Sequence, residues 1–472
     1  MSRKAIRGTF VDFIDDPWTH VGHEQDAARF FADGLLVIED GIITAFGAYA
    51  ELSGTYRDVE TIEIRDRLIL PGFIDGHIHV PQTRILGAYG EQLLPWLKKW
   101  VFPEERKYRD RGYAKEGVSH FFDNLLASGT TTCQAFTTST AVCAEEVFEE
   151  AARRNMRVIT GITGIDRNAP EWFTISPGDF YTESTELIRK YHGVGRNLYA
   201  ITPRFAFGAS EELLDACRRL KTEHPDLWVH THISENPAEI RGVAAMFGDC
   251  PDYLAVYEKF GLVGPKFTGG HGVWLTDDEF RRLSAAGAAV TFCAGSNLYL
   301  GSGLFRLGRA TDPQHRVLMT MGTDVGGGNR FSLLNTLEEA YKVGMLNSTV
   351  LDGSIDPRQQ DLAESERNKL SPYRAFYSIT KGGAEALYLD QLVGSFDAGK
   401  EADFVVLDWN GGPPATAWHM SLLVEDGGPQ DIATAAELLF GIMMVGDDRA
   451  VDETWVMGER AYKKASSEKA SS

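Results

Sequence analysis

The chain has 472 residues, 43% of them hydrophobic, and a formal net charge of −20. That is enough apolar material for a large buried core; length alone suggests about three domains, although an α/β barrel uses roughly 250 residues as one. The acidic balance argues against nucleic acid or an anionic membrane as a partner, since both reward basic patches.

At the N-terminus, Met1-Ser2-Arg3-Lys4 has no apolar signal core behind it. No run in the chain is long and apolar enough to span a bilayer, so a cytoplasmic protein is expected. The five cysteines (Cys133, Cys143, Cys217, Cys250 and Cys293) are odd in number, widely spaced and free of Cys-x-x-Cys. They fit free thiols in a reducing compartment rather than a disulfide framework. The first seventy residues run in short alternating segments such as Leu35–Phe46 and Val59–Ile64, and Asp40-Gly41 between apolar runs signals a hairpin turn. Ala402–Asp408 and Glu453–Gly458 repeat this style near the other end. Residues 1–70 plus 393–465 are therefore expected to form one small β-sandwich domain, with 466–472 a disordered tail of Lys, Ala, Ser and Glu.

Between the two ends, strand-like and helix-like stretches alternate. Eight candidate strands follow in order: Leu68–His79, Thr130–Phe136, Arg157–Gly164, Leu198–Phe205, Leu227–Glu235, Phe267–Leu275, Ala288–Ser296 and Val317–Asp324. Helical periodicity separates them, as in Glu211–Leu220. Eight alternations of β and α predict a (β/α)8 TIM-like barrel over residues 71–392, with the C-terminal strand ends at a common mouth.

Residues able to bind a metal recur at those ends. The first strand ends Asp75-Gly76-His77-Ile78-His79, and side chains at i and i+2 share a face. Strand five ends His230-Thr231-His232-Ile233-Ser234-Glu235, strand six Gly269-Gly270-His271, and strand eight Gly322-Thr323-Asp324. Each alone fits a satisfied core histidine or a carboxylate capping a turn; together, a barrel would bring them to one point. On strand five either histidine could point inward. His232 is favoured as a ligand because it lies nearer the mouth, with His230 one layer below. Three imidazoles and a carboxylate would leave an open position on zinc or ferrous iron, which marks a catalytic site. Glu235 follows closely enough to move protons in the same pocket.

These segments resemble the amidohydrolase superfamily of metal-dependent hydrolases and, within it, the guanine deaminases. The resemblance runs from about Arg7 to Tyr462. Its more specific parts are Pro81-Gln82 after the histidines, Pro203-Arg204-Phe205, and Gly446-Asp447-Asp448-Arg449. It implies one divalent metal, usually zinc with iron possible, held by His77, His79, His232 and Asp324. It places His271 beside the metal-bound water, as a ligand or an electrostatic aid, and makes Glu235 the proton shuttle and Asp324 the acceptor of the water proton. It assigns Gln82, Arg204 and Phe205 to a purine pocket that His79, His232, Glu235 and Asp324 also line. Arg204 can donate to the purine carbonyl, and Phe205 or Trp96 can stack on the ring.

The implied reaction is hydrolysis of guanine to xanthine and ammonia by a metal-bound hydroxide, in a homodimer. A related aminopurine, pterin or triazine deaminase on the same barrel is the alternative, and a barrel serving only as an assembly scaffold is the reading from another class. Two segments depart from the pattern: Cys293-Ala294-Gly295-Ser296-Asn297 has no proline after its cysteine, and Gly270-His271 replaces an Ala-His pair. Both departures fall at the barrel mouth.

Overall fold

The structure, a computed structural model, describes residues 3–90, 92–349, 361–424 and 428–465. The expected tail, 466–472, lies outside the described residues. The strands, in chain order, are β1 (Arg3–Phe13), β2 (Ala28–Glu39), β3 (Ile42–Ala48), β4 (Glu60–Pro71), β5 (Phe73–His79), β6 (Thr130–Phe136), β7 (Arg157–Gly161), β8 (Thr163–Gly164), β9 (Asn197–Pro203) and β10 (Trp228–Ile233). They continue with β11 (Phe267–His271), β12 (Ala289–Phe292), β13 (Leu318–Met321), β14 (Phe404–Leu407), β15 (Val451–Val456) and β16 (Glu459–Lys463).

Strands from both termini build one mixed sheet of seven, in the order β16-β15-β14-β4-β1-β2-β3. Asp40 and Gly41 turn the β2–β3 hairpin with φ of 49° and 85°. Positive φ at both central residues matches the twist of the flanking strands, as the Asp-Gly pair predicts. One face of the sheet buries Ile6, Phe10, Leu36, Ile38, Phe404 and Trp455.

Strands β5 to β13 form the parallel barrel, its strands in chain order around the ring. The stretch that reads as one strand over Leu68–His79 divides at Gly72 into two. Leu68–Pro71 pairs with β14 in the terminal sheet, and Phe73–His79 pairs with β6 in the barrel. Gly72 is where the chain passes between them: a Cβ there would stand 2.2 Å from Thr131 Oγ1. Arg157–Gly164 likewise divides at Ile162 into β7 and β8, both adjoining β9.

Outside the barrel, helices bury one stripe each. Helix Glu211–Glu223 buries Leu213, Leu214, Ala216, Cys217 and Leu220, a spacing of three to four residues. Each leucine so buried contributes about 1.5–3 kcal/mol. The helix starts where Ser210 Oγ accepts the Leu213 N–H, which satisfies one of the free donors of its first turn.

No ladder joins β13 to β5 among the described residues, so this seam is closed by other means. At the mouth, the Asp324 N–H donates to the His77 carbonyl at 2.8 Å. Below it, buried Asp75 accepts the Thr323 N–H at 3.2 Å and the Thr323 hydroxyl at 2.5 Å. At the floor, the Ile74 N–H donates to the Ile379 carbonyl at 2.8 Å, and the helix Lys381–Ala386 packs against both strands. The backbone donors of Asp324, Thr323 and Ile74 thereby find partners at the seam.

Candidate active site

The strand ends converge as the alternation of β and α implies. His77 and His79 end β5, His232 lies one residue before the end of β10, His271 ends β11, and Asp324 follows β13. One ligating atom from each of His77, His79, His232 and Asp324 lies within 4.8 Å of the other three, and all four residues are buried. Asp324 Oδ1 stands 3.1 Å from His79 Nε2 and 3.4 Å from His77 Nε2. His79 Nε2 and His232 Nε2 are 3.2 Å apart.

The partners of the other ring nitrogens set this orientation. His232 Nδ1–H donates to the Arg204 carbonyl at 2.7 Å, which leaves the lone pair on Nε2. His271 Nδ1–H donates to Asn297 Oδ1 at 2.9 Å in the same way. His230 lies one layer down, its Nε2 3.0 Å from His77 Nδ1. It therefore touches the cluster through His77. Phe136, at the end of β6, fills the space beneath, with ring centroids 4.5–4.9 Å from those of His77, His79 and His232.

Three non-glycine residues at these strand ends have left-handed backbone: Ser234 (φ 48°), His271 (φ 72°) and Asp324 (φ 47°). Such conformations are disfavoured for residues with a Cβ and concentrate at functional sites. Here they turn the chain sharply as each strand ends. Glu235 thus lies past β10, with its Oε2 3.6 Å from His271 Nε2 and its Oε1 accepting the Ser302 hydroxyl at 3.1 Å.

Burial governs the charges. It holds His79 down to about 3 and pushes His77, His230 and His232 below the usual histidine range, so the imidazoles are neutral. Burial would raise Asp324, but the rings of His77 and His79 against its carboxylate outweigh it and hold it well below its usual range. Glu235 is pushed up to about 8, first by burial and then by the charge of Asp324, against the hydrogen bond from Ser302.

Beside the cluster lies a small cavity, into which Gln82, Trp96, Leu97, Arg204, Phe205, Glu235, His271 and Asp324 all open. Its roof is the long connection after β5. There Val80–Ile85 carries Gln82, Leu93–Trp96 carries Trp96, and Phe102–Glu105 ends in Glu105. Glu105 is fully buried. It accepts from Gln82 Nε2 at 2.9 Å and from Arg204 Nη1 at 3.0 Å.

The model of the amidohydrolase family matches residues 68–461, most of the chain. The chain belongs to the amidohydrolase family. Among this amidohydrolase's relatives, guanine deaminase of Escherichia coli (strain K12) is 43% identical, covering 98% of this chain and 98% of that one. A probable guanine deaminase of Deinococcus radiodurans is 38% identical over 96% of this chain and 98% of its own length. The crystal structure of guanine deaminase from Bradyrhizobium japonicum superposes with a TM-score of 0.97 at 67% identity, covering 98% of this chain and 100% of that one. An adenosine deaminase from Xanthomonas campestris with bound zinc shares the fold at a TM-score of 0.75 and 21% identity, covering 97% of this chain and 92% of that one.

The amidohydrolase family is metal-dependent, and the donor set here suits a divalent ion. Nε2 of His79 faces Nε2 of His232 at 3.2 Å, and Asp324 Oδ1 lies within 3.4 Å of both His77 Nε2 and His79 Nε2, so donors from four residues crowd one small space. His77 Nε2 and His271 Nε2 are buried without a hydrogen-bond donor or acceptor. Nitrogen and carboxylate donors in this number are the ligands zinc and ferrous iron take.

One departure from the pattern, Gly270, gains a physical reading in this amidohydrolase; nothing in the structure explains the missing proline after Cys293. A Cβ on Gly270 would stand 2.3 Å from His77 Cε1, so the strand carries glycine where the ring lies flat against its backbone. Past Cys293, the helix Ala294–Tyr299 carries Asn297, which orients His271. Sequence reasoning assigned no role to Asn297, Ser302 or Glu105. Asn297 closes the Cys293–Asn297 segment singled out above and Ser302 lies just beyond it, but Glu105 sits in a charged stretch, Glu104-Glu105-Arg106-Lys107, whose composition is that of a solvated surface.

Proposed function

We propose that this amidohydrolase is a guanine deaminase that converts guanine and water to xanthine and ammonia. The observation that carries the reading is a single cavity, lined both by Glu235, His271 and Asp324 and by Gln82, Arg204 and Phe205. The first three are groups that move protons and charge. The second three offer hydrogen bonds and a flat apolar wall to a purine. The full-length similarity to guanine deaminases supports the choice of purine.

In this reading His77, His79, His232 and Asp324 hold one divalent metal, zinc in preference to iron. When bound, the metal supplies Lewis-acid activation of water at neutral pH. Gln82 and Arg204 orient the purine, with Arg204 donating to its carbonyl and Phe205 against the ring face. Glu235, held protonated by its buried setting, donates to the ring nitrogen beside C2 and makes that carbon more electrophilic. Asp324, held ionised, accepts a proton from the attacking water as the C2–O bond forms. His271, oriented by Asn297, lies beside the attacking oxygen and steadies the charge that develops there. Return of that proton from Asp324 to the amino group lets the C2–N bond break and ammonia leave, while the C2 hydroxyl gives its remaining proton to Glu235, forming the carbonyl of xanthine.

The same reading treats residues 71–392 as the hydrolase barrel and 1–70 plus 393–465 as the accessory unit. The change of sheets at Gly72 supports that division. A homodimer acting in the cytoplasm belongs to it as well, on family resemblance. The test is an assay of purified, metal-loaded protein with guanine. Loss of guanine absorbance with one ammonia per turnover is expected; unchanged guanine with full metal content would reject the assignment.

A further inference from the structure

Glu105 touches no reacting atom in the mechanism above, yet it joins two pocket residues from different parts of the chain. Gln82 follows β5 and Arg204 follows β9; both are buried, and Glu105 itself is fully buried between them. Its position has two consequences. Because Gln82 Nε2 donates to Glu105 at 2.9 Å, the side-chain oxygen of Gln82 is left as an acceptor for a ligand N–H. Because the Glu105 carboxylate meets Arg204 Nη1 at 3.0 Å, the guanidinium keeps its other donors for a carbonyl while its charge is offset. The side of the pocket formed by Gln82 and Arg204, with Glu105 behind them, then carries no net charge but has a fixed polarity.

We propose that Glu105 is a positioning residue that presets Gln82 as an acceptor and neutralises Arg204, so that the pocket selects neutral purines carrying a carbonyl and releases anionic ones. Product release gives this selection a use. Xanthine carries one more carbonyl than guanine, which makes its ring N–H groups more acidic, so the product reaches the anionic form more readily than the substrate. A pocket with a bare Arg204 would retain that anion.

This inference rests on the guanine deaminase reading, and wild-type turnover of guanine tests that reading by itself. The inference is tested by comparing Glu105→Gln and Glu105→Asp with wild type. In Glu105→Gln, KM for guanine should rise roughly tenfold or more, with kcat changed less, from the loss of charge-assisted hydrogen bonds. Inhibition should be measured with xanthine and with hypoxanthine, at a pH where xanthine has lost a proton and hypoxanthine has not. The ratio of the two affinities should shift toward xanthine roughly tenfold in Glu105→Gln.

Glu105→Asp keeps the charge but shortens the reach. It should raise KM while leaving that ratio near wild type. A Glu105→Gln enzyme with wild-type KM and an unchanged ratio would overturn the proposal. Should Glu105→Gln fail to fold, an unchanged KM in Glu105→Asp would overturn it as well.

Discussion

Asp324 donates its backbone N–H to the His77 carbonyl at 2.8 Å, and its carboxylate stands 3.4 Å from the His77 ring. One residue therefore both closes the barrel seam and enters the polar cluster. The last strand end is locked to the first by backbone, so the cluster geometry does not depend on side-chain packing alone. With the left-handed backbone at Asp324, this ties the chemistry of the site to the closure of the fold.

Glu235→Gln removes the proposed proton donor while keeping its size. We expect kcat to fall about 10²–10⁴-fold, the range for a positioned general acid. Metal content and circular dichroism should match wild type. A variant with wild-type turnover would show that the ring nitrogen takes its proton from elsewhere.

Glu235 also sets a pH limb. Its carboxyl is pushed up to about 8, and the protonated form is the donor, so kcat falls as pH rises through that value. Burial, the larger cause, persists with metal bound, whereas the charge of Asp324 is then offset by the ion. The alkaline limb should therefore lie at or somewhat below about 8. A pH–kcat profile of the metal-loaded enzyme locates it, and the limb should vanish in Glu235→Gln.

His230 should matter to metal affinity without ligating. Its Nε2 lies 3.0 Å from His77 Nδ1, so the two rings share one hydrogen bond that fixes the His77 ring. In His230→Leu we expect metal affinity to drop about 10–100-fold, as when an outer partner of a metal-bound histidine is lost. Competition with a chelator gives the constant.

Gly270→Ala tests the flat contact beneath His77. The added methyl would stand 2.3 Å from the ring, which must move. A cost of about 1–3 kcal/mol is expected from overpacking. Metal affinity should weaken at the same time, which separates this variant from an ordinary core substitution. Thermal melts with and without metal report both effects.

Glu239 offers a stability test away from the ligands. It is fully buried, caps its own helix at Asn236 and accepts from the Tyr253 hydroxyl; burial and then the Glu235 charge push it up to about 7. A carboxyl raised in the folded state contributes stability that is fully present below its ordinary value, 4.5, and is lost as pH rises through about 7. Glu239→Gln cannot ionise. Its melting temperature should therefore gain on wild type as pH goes from about 5 to about 8, by up to a few kcal/mol of stability. A constant gap across that range would contradict the assignment.

Sequence patterning specified a good deal. The alternation of apolar strands with helical stripes implies the barrel, because each element must bury one face and the parallel ladder needs crossovers. The i, i+2 spacing in His77-Ile78-His79 places both rings on one face. Asp40-Gly41 determines its hairpin locally, through two residues that tolerate positive φ. Such features depend on neighbours along the chain, so the chain alone carries them.

Tertiary structure decided the rest. Spacing leaves His230 and His232 on the same face, and only the Arg204 carbonyl and the His77 ring, both distant in sequence, separate their places. The division of Leu68–His79 at Gly72 arises where Thr131 of β6 crowds the glycine and the carbonyl of Asp403, just before β14, accepts its N–H at 2.9 Å. Glu105 reads as surface charge until folding brings Gln82 and Arg204 to its two oxygens. In each case the deciding partners come from elsewhere in the chain: close approach decides at Gly72, and for the histidines and Glu105 removal from water makes the partners matter.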